Sequence, residues 1–244
     1  EKAGDFGGTW YWNRYPGARC DSESHSYWYT FSDELMREWE WSEKYPAPPE
    51  ILRYLNYVAK RFDLKRDIRF NTRVENAERK AGGGWQITLS TGEVKHYDAL
   101  CVANGHHWAA RIPEYPGSFA GTQIHSHNYR TPFEPVNCIG KRVLVVGMGN
   151  SAMDVASELS QRPMAEKLFV STRRGVWIFP KYYRGQPLDK NPAPAWLPKG
   201  VKQWLGARMI KGLVGKMSDY GLPEPEIGPF ESHGPVSGEF LVRA

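Results

Sequence analysis

The chain has 244 residues and a mass of 27.9 kDa, enough for one large domain or two small ones with a sizeable core. Its 24 glycines and 18 prolines are too few for a low-complexity chain, no apolar stretch is as long as a membrane span, and the N-terminal residues lack a signal-peptide layout. We therefore expect a cytoplasmic protein without a transmembrane segment, whose three scattered cysteines are reduced thiols.

Positive charge is concentrated in the second half of the chain. Residues 161–216 contain twelve lysines or arginines and only two acidic residues, whereas the net charge of the whole chain is +5. This distribution predicts an anionic partner. No helix-turn-helix, zinc-finger or RNA-recognition pattern accompanies it, so the sequence favours a phosphorylated small molecule over a nucleic acid.

The N-terminal part of the sequence predicts a loop followed by a helix. Residues 7–29 are rich in aromatic and turn-forming residues without a helical period, which is typical of an irregular, partly buried loop. Behind a Pro-Pro pair, apolar residues then recur with the spacing of an amphipathic helix that packs on the core. The apolar positions of this helix are Ile51, Leu55, Val58 and Phe62.

Short strands are predicted next along the chain. Residues 68–74 form the first strand, and residues 85–89 and 94–97 flank a glycine-containing loop as a hairpin. The apolar run 99–103 stops at an Asn-Gly pair, as a buried strand does where it enters a loop. Because open sheets bind ligands at the carboxyl ends of their strands, we expect a ligand near this end.

The segment after Lys141 predicts a βαβ unit. Residues 142–146 are a β-branched run suited to a strand buried on both faces, helical spacing follows as far as Leu159, and residues 168–171 supply the second strand. The turn between strand and helix has the pattern G-x-G-x-x-A, formed by Gly147, Gly149 and Ala152.

Each position of this turn has a physical reason. Gly147 permits a tight turn, Gly149 lets a pyrophosphate approach the backbone, and the small Ala152 lets the helix pack closely on the strand. The free amides and the positive dipole end of the helix favour phosphate groups. The turn and its strand-helix context therefore predict a dinucleotide site.

The end of the second strand predicts which dinucleotide binds. An NAD site would carry an acidic residue there to accept from the ribose 2′-hydroxyl, whereas this sequence has Thr172, Arg173 and Arg174. Two guanidinium groups can bind a 2′-phosphate bidentately, which favours NADPH over NADH. The alternative, two solvated surface arginines, stays open.

Four stretches of the sequence carry a family resemblance. They are residues 1–10 (EKAGDFGGTW), residues 13–21 (NRYPGARCD), the pattern F-x-G-x-x-x-H-x-x-x-Y at 119–129, and the turn 147–152 with residues 171–174. On these stretches the chain resembles the class B flavoprotein monooxygenases, which comprise the flavin-containing and the Baeyer–Villiger monooxygenases. The resemblance extends over nearly the whole chain, and the F-x-G-x-x-x-H-x-x-x-Y pattern is specific to these enzymes.

The resemblance implies an α/β fold with two dinucleotide-binding, Rossmann-like domains. Residues 1–135 would be a partial FAD-binding domain with the linker pattern, and residues 136–244 would be the NADPH-binding domain. In the family, the glycine loop that binds FAD lies just upstream of the acidic residue that Glu1 matches. The chain is therefore expected to be an interior fragment, with the FAD domain incomplete at its N-terminus and the NADPH domain truncated at its C-terminus.

Individual site residues also follow from the resemblance. FAD would be bound by Glu1 at the ribose, by Gly8, Thr9 and Trp10 along the phosphate and ring, by Asp21 near the flavin and by Val74 at the adenine, and Lys2 would also contact this cofactor. NADPH would be bound by Gly147, Gly149, Asn150, Ser151, Thr172, Arg173 and Arg174. The catalytic residues would be Asp21, His125, which couples the motion of the two domains, and Tyr129. Without the resemblance, Trp10 and its neighbours could equally be core aromatics.

The implied function is that of an NADPH- and FAD-dependent monooxygenase. Such an enzyme inserts one oxygen atom from O2 into a nucleophilic nitrogen or sulfur of a small-molecule substrate, through a C4a-(hydro)peroxyflavin. Tyr129 and the residues 149–151 favour this heteroatom branch. Residues 8–23, with Asp21, resemble instead the Baeyer–Villiger branch, which converts ketones to esters or lactones. The Ala-Asn-Gly sequence at 103–105 departs from the Thr-Gly ending that is usual in the family.

Alternatives from other classes are also open. The chain could be an inactive NADPH-binding remnant, because it lacks the first glycine loop that holds the FAD pyrophosphate. A disulfide reductase on the same architecture is disfavoured, because the sequence has no C-x-x-C pair. The oligomeric state does not follow from the sequence.

Two further patterns call for a choice between structure and function. Residues 201–213 have a basic amphipathic pattern with Val201, Trp204, Leu205, Met209 and Leu213 as apolar positions, which predicts a helix packed over the cofactor cleft, with membrane-surface binding as the alternative. The adjacent His106 and His107 lack a third ligand at suitable spacing, so no metal site is predicted.

Overall fold

The computed structural model describes residues 1–105, 109–161, 163–188 and 194–231. Its α-helices are α1 (Thr9–Trp12), α2 (Asp33–Glu38), α3 (Pro48–Arg61), α4 (Asn150–Leu159) and α5 (Lys199–Val214). Its strands are β1 (Val74–Arg79), β2 (Trp85–Leu89), β3 (Val94–Tyr97), β4 (Arg142–Val146), β5 (Lys167–Ser171), β6 (Tyr182–Tyr183) and β7 (Gln186–Pro187). Short 3-10 helices lie at Ser24–Ser26, Leu64–Asp67, Ser126–Asn128, Met217–Tyr220 and Pro229–Glu231.

Helix α3 organises the N-terminal part and confirms the predicted amphipathic helix. Its first turn begins with two prolines, which fit there because their missing N–H groups would have no partner inside the helix. Its apolar face buries Ile51, Tyr54 and Val58. Tyr54 and Val58 pack with Leu35 of α2, surrounded by partly buried aromatic rings that include Trp39.

The antiparallel sheet β1-β2-β3 confirms the predicted hairpin and corrects the strand before it. Strands β2 and β3 have the predicted bounds and pair antiparallel. The first strand, however, runs from Val74 to Arg79 and not over 68–74. The reason is the choice of partner: β2 pairs with 74–79, whereas Asn71 and Thr72 donate their amides to the carbonyls of Ala3 and Glu1, each at 2.9 Å.

Two other predictions for this part of the chain are also wrong in detail. The apolar run 99–103 is not a buried strand: it has no regular structure, and Val102 is 75% exposed. A strand forms only where a neighbour satisfies its backbone groups, and no described element pairs with this run. The predicted irregular loop 7–29 contains α1 and the 3-10 turn Ser24–Ser26.

The second part contains the predicted βαβ unit. Strands β4 and β5 are parallel and in register from Arg142 opposite Lys167 to Val146 opposite Ser171, and α4 connects them. Helix α4 buries Met153 and Ala156 in a core cluster that also includes Met148, Ile178 and Met217. The prediction that β4 is buried on both faces is wrong, because α4 covers one face while Leu144 and Val146 on the other are exposed.

Helix α5 packs through a different face from the predicted one. Its buried residues are Gly206 and Ile210, whereas Val201, Trp204 and Leu205 are exposed. The glycine explains this choice, because the ring of Phe230 occupies the space where a side chain at position 206 would lie. Among the helices of the described residues, none combines the length and apolar character that a membrane span requires.

Candidate functional site

The turn between β4 and α4 has the geometry predicted for a phosphate-binding glycine turn. Gly147 has φ +120°, which favours glycine, and its N–H donates to the carbonyl of Ser171 at 2.9 Å. Gly149 is the N-cap of α4, and the first hydrogen bond of the helix runs from the Met153 amide to the Gly149 carbonyl at 3.0 Å. The amides of residues 150–152 therefore lie before the first intrahelical bond, where an anion can accept from them.

The space around this turn is open. A Cβ placed on Gly149 would have no other described atom within 4 Å, whereas one on Gly147 would lie 4.0 Å from the Cβ of Ala152. The small side chain at 152 thus allows the helix to start close to the strand, and the glycine at 149 leaves the approach to the amides free. This is the arrangement that a pyrophosphate requires.

The arginine pair lies at the same edge of the sheet as the glycine turn. The register of β4 and β5 places Ser171 opposite Val146, so Thr172 follows at the carboxyl edge where the turn begins. The Thr172 hydroxyl donates to the Arg174 carbonyl at 2.7 Å and fixes the local backbone. Arg173 and Arg174 are exposed, and no carboxylate of the described residues lies within 4.0 Å of either. Within the described ranges, no carboxylate therefore competes with a bound anion for these two guanidinium groups.

On the N-terminal side, aromatic residues surround a cavity of about 480 Å³. The Trp10 indole N–H donates to the Tyr27 hydroxyl at 2.9 Å, and the two rings meet edge to face with centroids 5.8 Å apart. Gly7, with φ +128°, is in contact with α3, because a Cβ there would lie 2.5 Å from a methyl carbon of Leu52. The cavity is lined by Phe6, Gly7, Thr9, Trp10, Tyr27, Tyr29, Ile51, Tyr54 and Leu55. Of the predicted flavin-side residues, Thr9 and Trp10 thus line one cavity, and Gly8 precedes them.

The other predicted FAD residues are more widely spread. The Glu1 carboxylate is exposed and accepts from the Ala3 amide at 2.8 Å through one oxygen. The Lys2 ammonium lies 5.4 Å from the centre of the Trp12 ring. Val74 does not end a strand as predicted but begins β1, with 54% of its surface exposed.

Asp21 is exposed and follows a buried residue. The Cys20 amide donates to the Pro46 carbonyl at 3.1 Å, which holds this part of the loop beside the start of α3. Burial raises the pKa of the Cys20 thiol to about 11, so this thiol is protonated at neutral pH. The carboxylate of Asp21 lies at the protein surface, directly after a residue that is buried and hydrogen-bonded to Pro46.

Tyr15, which sequence analysis did not single out, connects this loop to the glycine turn. Its hydroxyl lies 2.9 Å from that of Ser151, across 136 residues of sequence. Two residues later, Gly17 has φ +89°, and a Cβ on it would lie 3.0 Å from the Cβ of Asp154. The stretch 13–21 and the first turns of α4 are thus in direct contact. The only sequence signal for this contact was the presence of Tyr15 in the NRYPGARCD stretch.

The linker pattern packs on the far end of α4. Tyr129 is only 3% exposed and donates its hydroxyl to the Glu158 carboxylate at 2.8 Å. Burial raises the pKa of both groups, and the neighbouring carboxylate raises that of the phenol further. Tyr129 is enclosed in a core cluster with Val155 and Leu159, and its catalytic role stays a prediction.

His125 lies at the N-cap of the 3-10 turn in the same linker. Its Nδ1 accepts from the His127 amide at 3.1 Å, so in the neutral ring the proton is on Nε2. The ring is half-buried and therefore has one nitrogen committed to the local turn. His106 and His107, considered above as metal ligands, lie outside the described residues.

Comparisons with known proteins identify the family to which the chain is similar. A family model described as flavin-binding monooxygenase-like matches residues 1–217. Acetone monooxygenase (methyl acetate-forming) of Gordonia sp. (strain TY-5) is 38% identical over 70% of this chain and 32% of its own length. Dimethylaniline monooxygenase [N-oxide-forming] 2 of Rattus norvegicus is 31% identical over 86% of this chain and 43% of its own length.

A solved structure is similar to this chain in both sequence and fold. The crystal structure of OTEMO in complex with FAD and NADP is 38% identical, with a TM-score of 0.65, over 74% of this chain and 35% of its own. The chain spans about a third of the length of the first curated relatives that it matches.

Proposed function

The chain belongs to the flavin-binding monooxygenase-like family, and from this premise we propose that it contributes the NADPH site and part of the FAD site of a monooxygenase. Its reactants would be O2 and a small-molecule substrate. The proposal includes the predicted division of the chain into a flavin-side part, residues 1–135, and a nicotinamide-side part, residues 136–244.

One observation carries the proposal for NADPH: the glycine turn and the arginine pair share one edge of the β4-β5 sheet. The amides at the start of α4 and the side chains of Asn150 and Ser151 would bind the pyrophosphate. Thr172, Arg173 and Arg174 would surround the adenosine 2′-phosphate, with the arginines as bidentate donors. The open space at Gly149 fits a phosphate group that approaches the backbone.

The flavin-side residues fit FAD through different contacts. The exposed Glu1 carboxylate, held at one oxygen by the Ala3 amide, keeps its other oxygen for a ribose hydroxyl. Gly8, Thr9 and Trp10 would lie along the flavin, since the last two line the aromatic cavity. Lys2 and Val74 complete the proposed set, and Asp21 would face the flavin from the loop 13–21.

The chain's own contribution to the reaction is binding, orientation and exclusion of water. When bound, NADPH supplies a hydride and FAD supplies the chemistry that activates O2. The apolar rings around the cavity, Trp10, Tyr27 and Tyr54 among them, would keep water from the flavin edge. His125 and Tyr129 would act on this chemistry only through the position of the linker relative to α4.

For the substrate class, we propose a nucleophilic nitrogen or sulfur compound. The rat N-oxide-forming relative supports this choice, because its similarity extends over 86% of the chain. Tyr129 supports it too, because a tyrosine at this position of the linker pattern resembles the heteroatom branch.

A second candidate, Baeyer–Villiger oxidation of a ketone, is favoured by a different observation. The Gordonia relative, whose name states that it forms methyl acetate, has the higher identity, 38%. Residues 8–23, including Asp21, carry the resemblance to this branch.

Two measurements test the proposal. A purified protein that binds FAD absorbs in the visible range, whereas the alternative of an inactive NADPH-binding remnant would be colourless. NADPH consumption is then followed with an amine, a thioether and a cyclic ketone, in the protein extended to the length of its curated relatives, of which this chain spans about a third. We expect an N-oxide or S-oxide from the first two, while an ester product alone would establish the second candidate, and a yellow protein indifferent to NADPH would refute both.

A further inference from the structure

The contact between Tyr15 and Ser151 joins the two proposed nucleotide sites. Ser151 is the second residue of α4, in the turn whose amides precede the first intrahelical hydrogen bond. Its hydroxyl lies 2.9 Å from the Tyr15 hydroxyl, and either atom can donate by geometry alone. Tyr15 itself packs against the core cluster of Tyr129, Val155 and Leu159, and this packing restricts the position of the phenol ring.

A second contact fixes the same loop on the same helix face. The backbone at Gly17 lies against Asp154, three residues beyond Ser151 and therefore one turn along α4. The loop thus contacts the helix at two successive turns, through Tyr15 at Ser151 and through Gly17 at Asp154.

The hydrogen-bonding capacity of the two hydroxyls then decides the direction of donation when a phosphate is present. A serine hydroxyl has one proton to donate and two lone pairs, and a phosphate oxygen can only accept. If Ser151 gives its proton to the phosphate, its lone pairs are left for the phenol, so Tyr15 donates to Ser151. Burial raises the pKa of Tyr15, which keeps the phenol protonated for this task.

We propose that Tyr15 is a positioning residue of the NADPH site, which orients the Ser151 hydroxyl toward the coenzyme pyrophosphate and does so through Ser151 alone. This inference rests on the proposed function. It also implies that the flavin-side loop 13–21, which carries Asp21, belongs to the NADPH site. The contacts of Tyr15 with Ser151 and of Gly17 with Asp154 hold this loop against the start of α4.

The test is a double-mutant cycle on coenzyme binding. The dissociation constant of NADP⁺ is measured by calorimetry for the wild type, Tyr15→Phe, Ser151→Ala and the double variant. We expect Tyr15→Phe to weaken binding about fivefold, as the loss of one neutral hydrogen bond does. Since Tyr15 acts through Ser151, the double variant should bind no more weakly than Ser151→Ala.

Tyr57→Phe is the matched control. It removes a phenol that also donates to a side chain, the Glu38 carboxylate at 2.5 Å, but on the α2-α3 surface. This variant should bind NADP⁺ as the wild type does. A double variant in which the two single effects multiply would overturn the proposal, because Tyr15 would then reach the coenzyme independently of Ser151. Unchanged binding in Tyr15→Phe would overturn it as well.

A second readout separates this inference from the proposed function. Amide hydrogen exchange of residues 150–153 is measured without coenzyme, where Tyr15→Phe should exchange faster than both the wild type and Tyr57→Phe. If the wild type binds no NADP⁺, the proposed function fails, yet faster exchange would still support the contact between Tyr15 and the turn. Equal exchange in all three proteins would refute it.

Discussion

At the scale of single residues, charge and backbone conformation decide what each site accepts. The end of β5 carries Arg173 and Arg174 where an acidic residue would select NAD, and neither arginine has a described carboxylate to neutralise it. At Gly17 the backbone conformation is decisive, because its positive φ and its close approach to Asp154 disfavour any side chain.

Replacing both arginines by alanine should abolish the preference for NADPH. We expect the KM for NADPH to rise at least tenfold, because two charge-assisted contacts to the 2′-phosphate are lost, while the KM for NADH changes little. Steady-state kinetics with both coenzymes measures this. The control is Arg208→Ala, an exposed arginine on α5 whose guanidinium lies over Trp204. An unchanged ratio of the two KM values in the double variant would remove the assignment of Arg173 and Arg174.

Gly17→Ala should lower the free energy of unfolding by about 1–3 kcal/mol. The new Cβ would have φ +89° and lie 3.0 Å from the Cβ of Asp154. Gly82→Ala is the matched control, since a Cβ at Gly82 would have no neighbour within 4 Å among the residues that the structure describes, and the backbone there lacks a positive φ. Urea denaturation of the two variants compares them directly, and equal stability would contradict the close approach of the loop to α4.

At the scale of elements, α4 contacts other parts of the chain through two opposite faces. One face packs on the parallel strands through Met153 and Ala156. The opposite face carries Ser151, Asp154 and Glu158 at the i, i+3 and i+7 spacing of one helical stripe. The loop 13–21 contacts the first two of these residues, and Tyr129 of the linker contacts the third.

The Glu158 carboxyl makes the stability of this arrangement depend on pH. Burial raises its pKa in the folded protein above the ordinary value of 4.5. The stability that this group contributes is therefore complete below about pH 4.5 and is lost as the pH rises through its pKa in the folded state. Glu158→Gln, whose amide cannot ionise, should become progressively more stable relative to the wild type above pH 4.5.

Urea unfolding of both proteins at several pH values between 4.5 and 8 measures this difference. Glu114→Gln, which removes an exposed carboxylate, serves as the control and should show no such trend. A difference between Glu158→Gln and the wild type that stays constant over the whole range would mean that the carboxyl is not shielded from water as the structure shows.

At the scale of the whole molecule, two of the three core clusters in the described part of the chain lie beside the two proposed nucleotide sites. The N-terminal cluster is built from Leu35, Tyr54 and Val58 with surrounding tryptophans. The cluster of the βαβ unit contains Met153 and Ile178. The stripe on α4 contacts both the loop 13–21 and the linker, so we expect a ligand on the glycine turn to affect the flavin-side loop through it.

Binding of NADP⁺ should therefore protect two regions of the chain and leave a third unchanged. At a coenzyme concentration of one hundred times Kd, we expect a stabilisation of about 2.7 kcal/mol. For amides that exchange through local opening, protection should appear in residues 142–171 and also in 13–17, whereas such amides of the β1-β2-β3 sheet should exchange as before. Uniform protection of all three regions would contradict a local path through α4.

The sequence by itself determined the elements whose signals are local. Helix α3 follows from its periodic apolar face, the β2-β3 hairpin from a glycine-containing loop, and the βαβ unit from a β-branched run followed by a glycine turn. For the same reason the position of the glycine turn between strand and helix could be predicted, because it depends on residues that are close along the chain, while the role of the arginine pair stays a prediction.

Only the tertiary structure decided the features that depend on a distant partner. The first strand lies at 74–79 and the run 99–103 is exposed, because a strand forms where another chain segment satisfies its backbone groups. Helix α5 buries its Gly206 face because Phe230 packs there. The contact between Tyr15 and Ser151 spans 136 residues, a separation over which no local periodicity carries information.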